Sequence, residues 1–136
     1  MSIQKVNHNV WKAFNDQSVA KASGSATSEW WDVNGWTDKA ITYEADVTDG
    51  SGSLSLTYTM DVSPKGYYEL NNAASVTTDD YSTVSIASAA STAVAVRVDS
   101  SDVDDLQRPM RSVRFKVVNA DASDAATVNL WLEGWS

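Results

Sequence analysis

The only histidine of this 136-residue chain, His8, is the first residue to weigh for chemistry. A nucleophilic triad would need it fixed beside a serine and an aspartate by a packed shell. His8 sits in a polar N-terminal stretch instead, where a solvent-exposed or subunit-contact role is the plainer reading. Glu29, Glu44, Glu69 and Glu133 supply carboxylates of the kind that pair across a sugar in glycoside hydrolysis. They lie on separate segments, and Glu44 and Glu133 fall on the wet faces of predicted strands. Asp99, Asp102, Asp104 and Asp105 form the densest acidic cluster. Calcium takes oxygen ligands from such loops, but the spacing is not that of an EF-hand and no glycine interrupts it, so calcium and a solvated loop both stay open for residues 99–105. There is no cysteine, hence neither disulfide nor thiolate metal site. No phosphate-cradling glycine loop followed by lysine is present, nor a dinucleotide fingerprint. The residues predict no enzyme, no catalytic group and no cofactor.

The aromatic and arginine residues point to contact rather than reaction. Six tryptophans are a heavy load for this length. If the segment is extended, adjacent Trp30 and Trp31 must point to opposite faces, one toward a core and one toward a rim. Trp131 lies between Leu130 and Leu132, so inward leucines put it outward. An outward tryptophan can anchor a protein contact, stack on a sugar, or pack beneath the N-terminal segment. Arg108, Arg111 and Arg114 form a local basic group. They could pair with the acidic loop Asp102 to Asp105 of a neighbouring copy or with the same loop in the same chain. The candidate partner-binding residues are Trp11, Phe14, Trp36, Arg108, Arg111, Trp131 and Trp135.

These side chains must be positioned by strands. Ile41, Tyr43, Ala45 and Val47 alternate with polar residues, as do Leu54, Leu56, Tyr58, Met60 and Val62. The Asp-Gly-rich stretch between them reads as a hairpin loop, and Pro64 and Gly66 close the second strand. Further alternating runs cover Val84 to Ile86, Val94 to Val98, Val113 to Val117 and Val128 to Leu132. Asn119 to Asp124 reads as a polar turn, and Val103 to Gln107 as a short helical turn within an acidic loop. Burying the five apolar positions from Leu54 to Val62 would supply on the order of 10 kcal/mol, and ordering their backbone costs a similar amount. A second layer is therefore required. The predicted fold is all-β, an antiparallel two-sheet β-sandwich of jelly-roll type spanning residues 23–136. Residues 1–22 are polar, with isolated Val6, Val10, Trp11, Phe14 and Val19, and are expected to form an extended arm or an added edge strand.

With 10 basic and 18 acidic residues the formal charge is −8. A nucleic-acid-binding domain needs a basic face, and so does an anionic membrane surface, so neither is expected as a partner. No apolar run is long enough for a signal peptide or a membrane span, which predicts synthesis in the cytoplasm without an export signal.

The stretch Ser23-Gly24-Ser25-Ala26-Thr27-Ser28-Glu29-Trp30-Trp31-Asp32-Val33-Asn34-Gly35-Trp36 resembles the openings of small β-sandwich proteins of tailed-bacteriophage virions. The close, Val113-Arg114-Phe115-Lys116-Val117-Val118, a polar turn, then Thr127 to Leu132, is similar to their closing strands. The resemblance covers roughly residues 23–135 through loose motifs of composition and order. It implies a virion structural protein, foremost a capsid cement or decoration protein, alternatively a piece of a head or tail fibre. A major capsid protein or other virion protein would be its partner, and further copies of itself, as dimer or trimer, would be neighbours. The tryptophans leave a carbohydrate-binding module as the alternative, with a host glycan as ligand. Deleting residues 1–22 is expected to leave a folded domain that no longer binds particles.

Overall fold

A computed structural model describes residues 8–48, 54–89 and 92–136. Among these residues nine strands form two antiparallel sheets: β1 His8–Val19, β2 Gly24–Thr27, β3 Trp31–Asp32, β4 Asp38–Val47, β5 Leu56–Ser63, β6 Ser82–Ala89, β7 Thr92–Val98, β8 Ser112–Asn119 and β9 Ala126–Trp135. A one-turn helix, α1 Tyr67–Asn71, and a 3-10 turn over Asp104–Gln107 complete the described elements. The first sheet runs β1-β9-β4-β7. The second runs β2-β8-β5-β6, with β3 also paired to β8. From β7 onward each strand crosses to the sheet opposite its predecessor, which gives the sandwich its jelly-roll order.

The alternation that predicted the strands also sets their dry faces. Val113, Phe115 and Val117 of β8 and Val128, Leu130 and Leu132 of β9 are wholly buried, as are Ile41 of β4 and Met60 of β5. The predicted helical turn at 103–107 is the 3-10 turn, which buries Leu106.

The hairpin expected between residues 41–47 and 54–62 does not form. β4 pairs with β9 and β7, whereas β5 pairs with β8 and β6. The two strands face each other through the core, and the Tyr43 and Tyr58 rings meet 4.5 Å apart between their centroids. Alternation fixes which face of a strand is dry but not which strand lies beside it. Stacked sheets are about 10 Å apart, and the eight residues between β4 and β5 are long enough to cross that distance as well as to make a hairpin. Residues 49–53 of that connection lie outside the described residues.

The extended arm expected over residues 1–22 is, from His8 onward, the edge strand of the first sheet, hydrogen-bonded along β9 from His8↔Trp135 to Val19↔Ala126. Two register shifts, between Lys12 and Phe14 and between Phe14 and Gln17, interrupt the pairing. They turn Trp11, Phe14 and Val19 into the core together, at a spacing no regular strand allows. The following turn holds Ala22 and Ser23 at positive φ. Gly24 opens β2 so close to the Ala20 carbonyl that a Cβ there would lie 2.2 Å from its oxygen. β1 thus passes directly into β2 through a tight turn.

A second, smaller packed layer covers the outside of the β8-β5-β6 sheet. Trp30 is buried there, with its backbone N–H donating to Asn71 Oδ1 (2.9 Å) and its carbonyl accepting from Asn71 Nδ2 (3.0 Å). The Arg114 guanidinium lies 4.7 Å from the Trp30 centroid and 4.9 Å from the Tyr81 centroid, two rings that also touch each other, and it donates to Asp61 at 2.7 Å.

Candidate functional site

The segment 30–36 is organised residue by residue by its sequence. Trp30 turns into the outer layer, Trp31 turns out, and Val33 is wholly buried. Trp31 and Asp32 are held as strand by pairing with Val113 and Ser112 of β8. The Asp32 carboxylate accepts the Asn34 N–H (2.9 Å), and the Trp36 N–H closes a turn on the Val33 carbonyl (3.0 Å). Gly35, at φ +86°, supplies the left-handed residue that turn requires. Trp36 then lies flat on β9: a Cβ at Gly134 would come within 1.9 Å of its ring, so only glycine admits the indole there.

This folding opens a groove of about 370 Å³ where the edge strands of the two sheets meet, lined by Asn9, Val10, Trp31, Asp32, Trp36 and Tyr67. Val10, Trp31 and Tyr67 are among the few large apolar side chains left exposed. Trp31 stacks on Trp11 with centroids 4.9 Å apart and planes 6° from parallel. Trp11 is itself wedged against Phe115 in the core, so the Trp31 ring rests on a rigid base.

A second surface is the outer face of β9 and its neighbours. Trp131 lies under the Lys12 ammonium, 4.8 Å from the ring centroid. Trp135 stacks with His8 (5.1 Å, 11°), and the Arg97 guanidinium lies 5.6 Å from its centroid. Glu133 joins these two side chains, accepting from His8 at 3.0 Å and from Arg97 at 3.3 Å. His8 therefore does meet a carboxylate, on an open sheet face.

At one end of the sandwich Lys39 is buried, with its ammonium donating to the Trp36 and Arg108 carbonyls at 3.3 Å each. Desolvation pushes its pKa down, against the pull of adjacent Asp38. Arg108 projects into solvent and pairs with Asp105 at 3.0 Å. Arg111 is exposed, its guanidinium resting over Gly66. The acidic loop is tied internally. The Asp99 carboxylate accepts both the hydroxyl and the N–H of Ser101, which hold its pKa below the usual range, and Asp102 accepts the Asp99 N–H. Among the described residues no three histidine, aspartate or glutamate side chains are gathered to hold a metal ion.

Of the residues singled out from sequence, Trp11 and Phe14 face the core and offer partners no surface, because the bulges of β1 rotate them inward. Trp36 lines the groove. Trp131 and Trp135 share the outer face, and Arg108 and Arg111 stand apart from both. The sequence reading missed Val10 and Tyr67 as groove residues. Tyr67 comes from α1, in a stretch without alternation to read.

Against solved structures, the chain is similar to infectious bursal disease virus VP2 in a subviral particle, with a TM-score of 0.56 and 12% identity over 96% of this chain and 32% of that chain. It is similar to the structure of the Gt strain of that virus, with a TM-score of 0.55 and 11% identity over 96% of this chain and 33% of that chain. T=1 particles derived from the virus give a TM-score of 0.54 and 10% identity over 96% and 32%. This chain spans about a third of the length of those chains. At such identity the likeness is one of fold: a β-sandwich of the type found in virus particles. No family model and no curated protein matches the sequence.

Proposed function

We propose that this chain is a non-enzymatic structural protein of a virion, a cement or decoration protein of the tailed-phage type that binds a capsid surface and stabilises the particle. The observation that carries this reading is the jelly-roll strand order, similar over nearly the whole chain to VP2 in a virus-derived particle. The sequence resemblance of residues 23–135 to small phage virion sandwiches points the same way. The contacts would come from folded surfaces, not from a reaching arm, since β1 is committed to its own sheet. Trp131 and Trp135 with their overlying cations, and Arg108 and Arg111 at one end, are the residues proposed to meet capsid protein or further copies of this chain. Aromatics and arginines suit such anchors because they bury large areas and pair with carboxylates. A protein that binds only the closed particle stabilises it by mass action.

The test is to locate the chain on particles purified from the cells that make it, by mass spectrometry and imaging, and to heat particles with and without it. Stoichiometric presence on the outer surface and a higher temperature of particle opening are expected. A chain absent from the particles, or one that leaves the opening temperature unchanged, overturns the reading.

A second reading, a module that contacts host glycans, is favoured by one observation, the exposed aromatic groove beside Trp31.

A further inference from the structure

We infer that the groove between β1 and β3 is a binding site for a neutral, hydroxyl-rich sugar, with Trp31 as its stacking platform. The inference deepens the glycan reading and is independent of capsid binding.

A pyranose presents an apolar C–H face and a rim of hydroxyls. It is held by a flat aromatic ring beside a few acceptors and donors. Trp31 meets the first need. One of its faces is taken by Trp11, nearly parallel at 4.9 Å, yet 37% of the residue remains open to solvent. The ring is thus fixed before any ligand arrives, which lowers the ordering cost of binding. Trp36 and Tyr67 add further aromatic wall. Asp32 and Asn9 meet the second need. One Asp32 oxygen is engaged by the Asn34 N–H, and the other accepts no hydrogen bond from a described residue. The Asn9 amide offers both a donor and an acceptor. At about 370 Å³ the groove suits a short saccharide.

Charge selects among sugars. A carboxylate in the groove and a formal charge of −8 disfavour sialylated or sulfated ligands and leave neutral hexoses. The two tryptophans that sequence alone singles out on β9 are less suited, because Lys12 lies over Trp131, and His8 and Arg97 lie against Trp135.

The experiment titrates the intact protein with neutral gluco-, manno- and galacto-oligosaccharides, and with a sialylated trisaccharide as the anionic probe, by calorimetry and tryptophan fluorescence. Saturable binding of at least one neutral probe and weaker binding of the anionic one are expected. Trp31→Ala should raise its Kd roughly tenfold, the upper range of one aromatic stacking contact. Asp32→Asn should raise it severalfold, and Trp131→Ala should leave it unchanged. Because Trp31→Ala also uncovers Trp11, Tyr67→Ala serves as a second groove variant whose folding does not depend on that stack, with thermal melting of each variant as the control. Silence across the neutral probes overturns the inference, and so does binding that survives both groove variants. Binding that survives them but is lost on Trp131→Ala would overturn the groove while leaving a glycan-binding module standing.

Discussion

β1 and β9 lie side by side in one sheet, yet their residues are laid out on different plans. β9 alternates buried and half-buried positions without a break from Ala126 to Trp135. It is paired on both sides, to β1 and to β4. β1 buries three apolar side chains at irregular intervals, carries two register shifts, and holds Asp16 at positive φ. The central strand is constrained on two edges and by the core on one face, so one slipped residue would turn every leucine outward. The edge strand is constrained on one edge only and can absorb extra residues as bulges, which also blunt the open edge against pairing with other chains. Irregularity in β1 is therefore compatible with a full share of the core.

The strongest way to break that comparison is to remove β1. Deleting residues 1–19 takes away Trp11, Phe14 and Val19, each contributing about 1.5–3 kcal/mol on burial. Their sum rivals the roughly 5–15 kcal/mol that hold a whole domain together. The truncated chain is expected to lose its cooperative urea transition and to aggregate through the bared edge of β9. A sharp transition at an unchanged midpoint would restore the detachable arm. Phe14 and Leu130, ladder partners that both face the core, sharpen the comparison next. Phe14→Ala should cost about 3–5 kcal/mol and Leu130→Ala about 2–5 kcal/mol in urea unfolding. Because the two sites adjoin, the double variant should depart from additivity by about 0.5–3 kcal/mol. A loss below about 1 kcal/mol at Phe14, far under the usual penalty for emptying a core site, would mean that β1 merely leans on the sandwich.

The same contrast explains what could be read in advance. β4, β5, β8 and β9 announce themselves because their period-two pattern is unbroken, and the inward set from Val113 to Val117 and from Val128 to Leu132 follows directly from it. β1 hides because its bulges shift the phase twice, so that Trp11, Phe14 and Val19 turn in at intervals that match no single period. The pairing of β4 with β9 and not with β5 hides for another reason: a strand's neighbour is chosen by long-range closure of two sheets, which no local pattern encodes. Of the groove, the Trp30-Trp31 pair was legible, since adjacent strand residues must diverge. Tyr67 was not, because its place depends on how the segment after β5 folds back over the sheet.

The mildest probe lies on the outer side of the same two strands. Lys12 and Trp131 are ladder partners, and the ammonium sits 4.8 Å from the ring centroid. Lys12→Met keeps much of the aliphatic stem that covers the indole and removes only the charge. A cation over an exposed indole contributes about 0.5–1 kcal/mol, so the variant should lose that much in urea at low salt. The loss should shrink as salt is added, because exposed charges are screened, whereas the Phe14→Ala loss should stay constant. The two substitutions thereby separate what joins β1 to β9 on its wet side from what joins it on its dry side. No loss at low salt would mean that Lys12 is a solvated charge. The Trp131 face would then be free, and the preference for Trp31 as the sugar platform would rest on the groove alone.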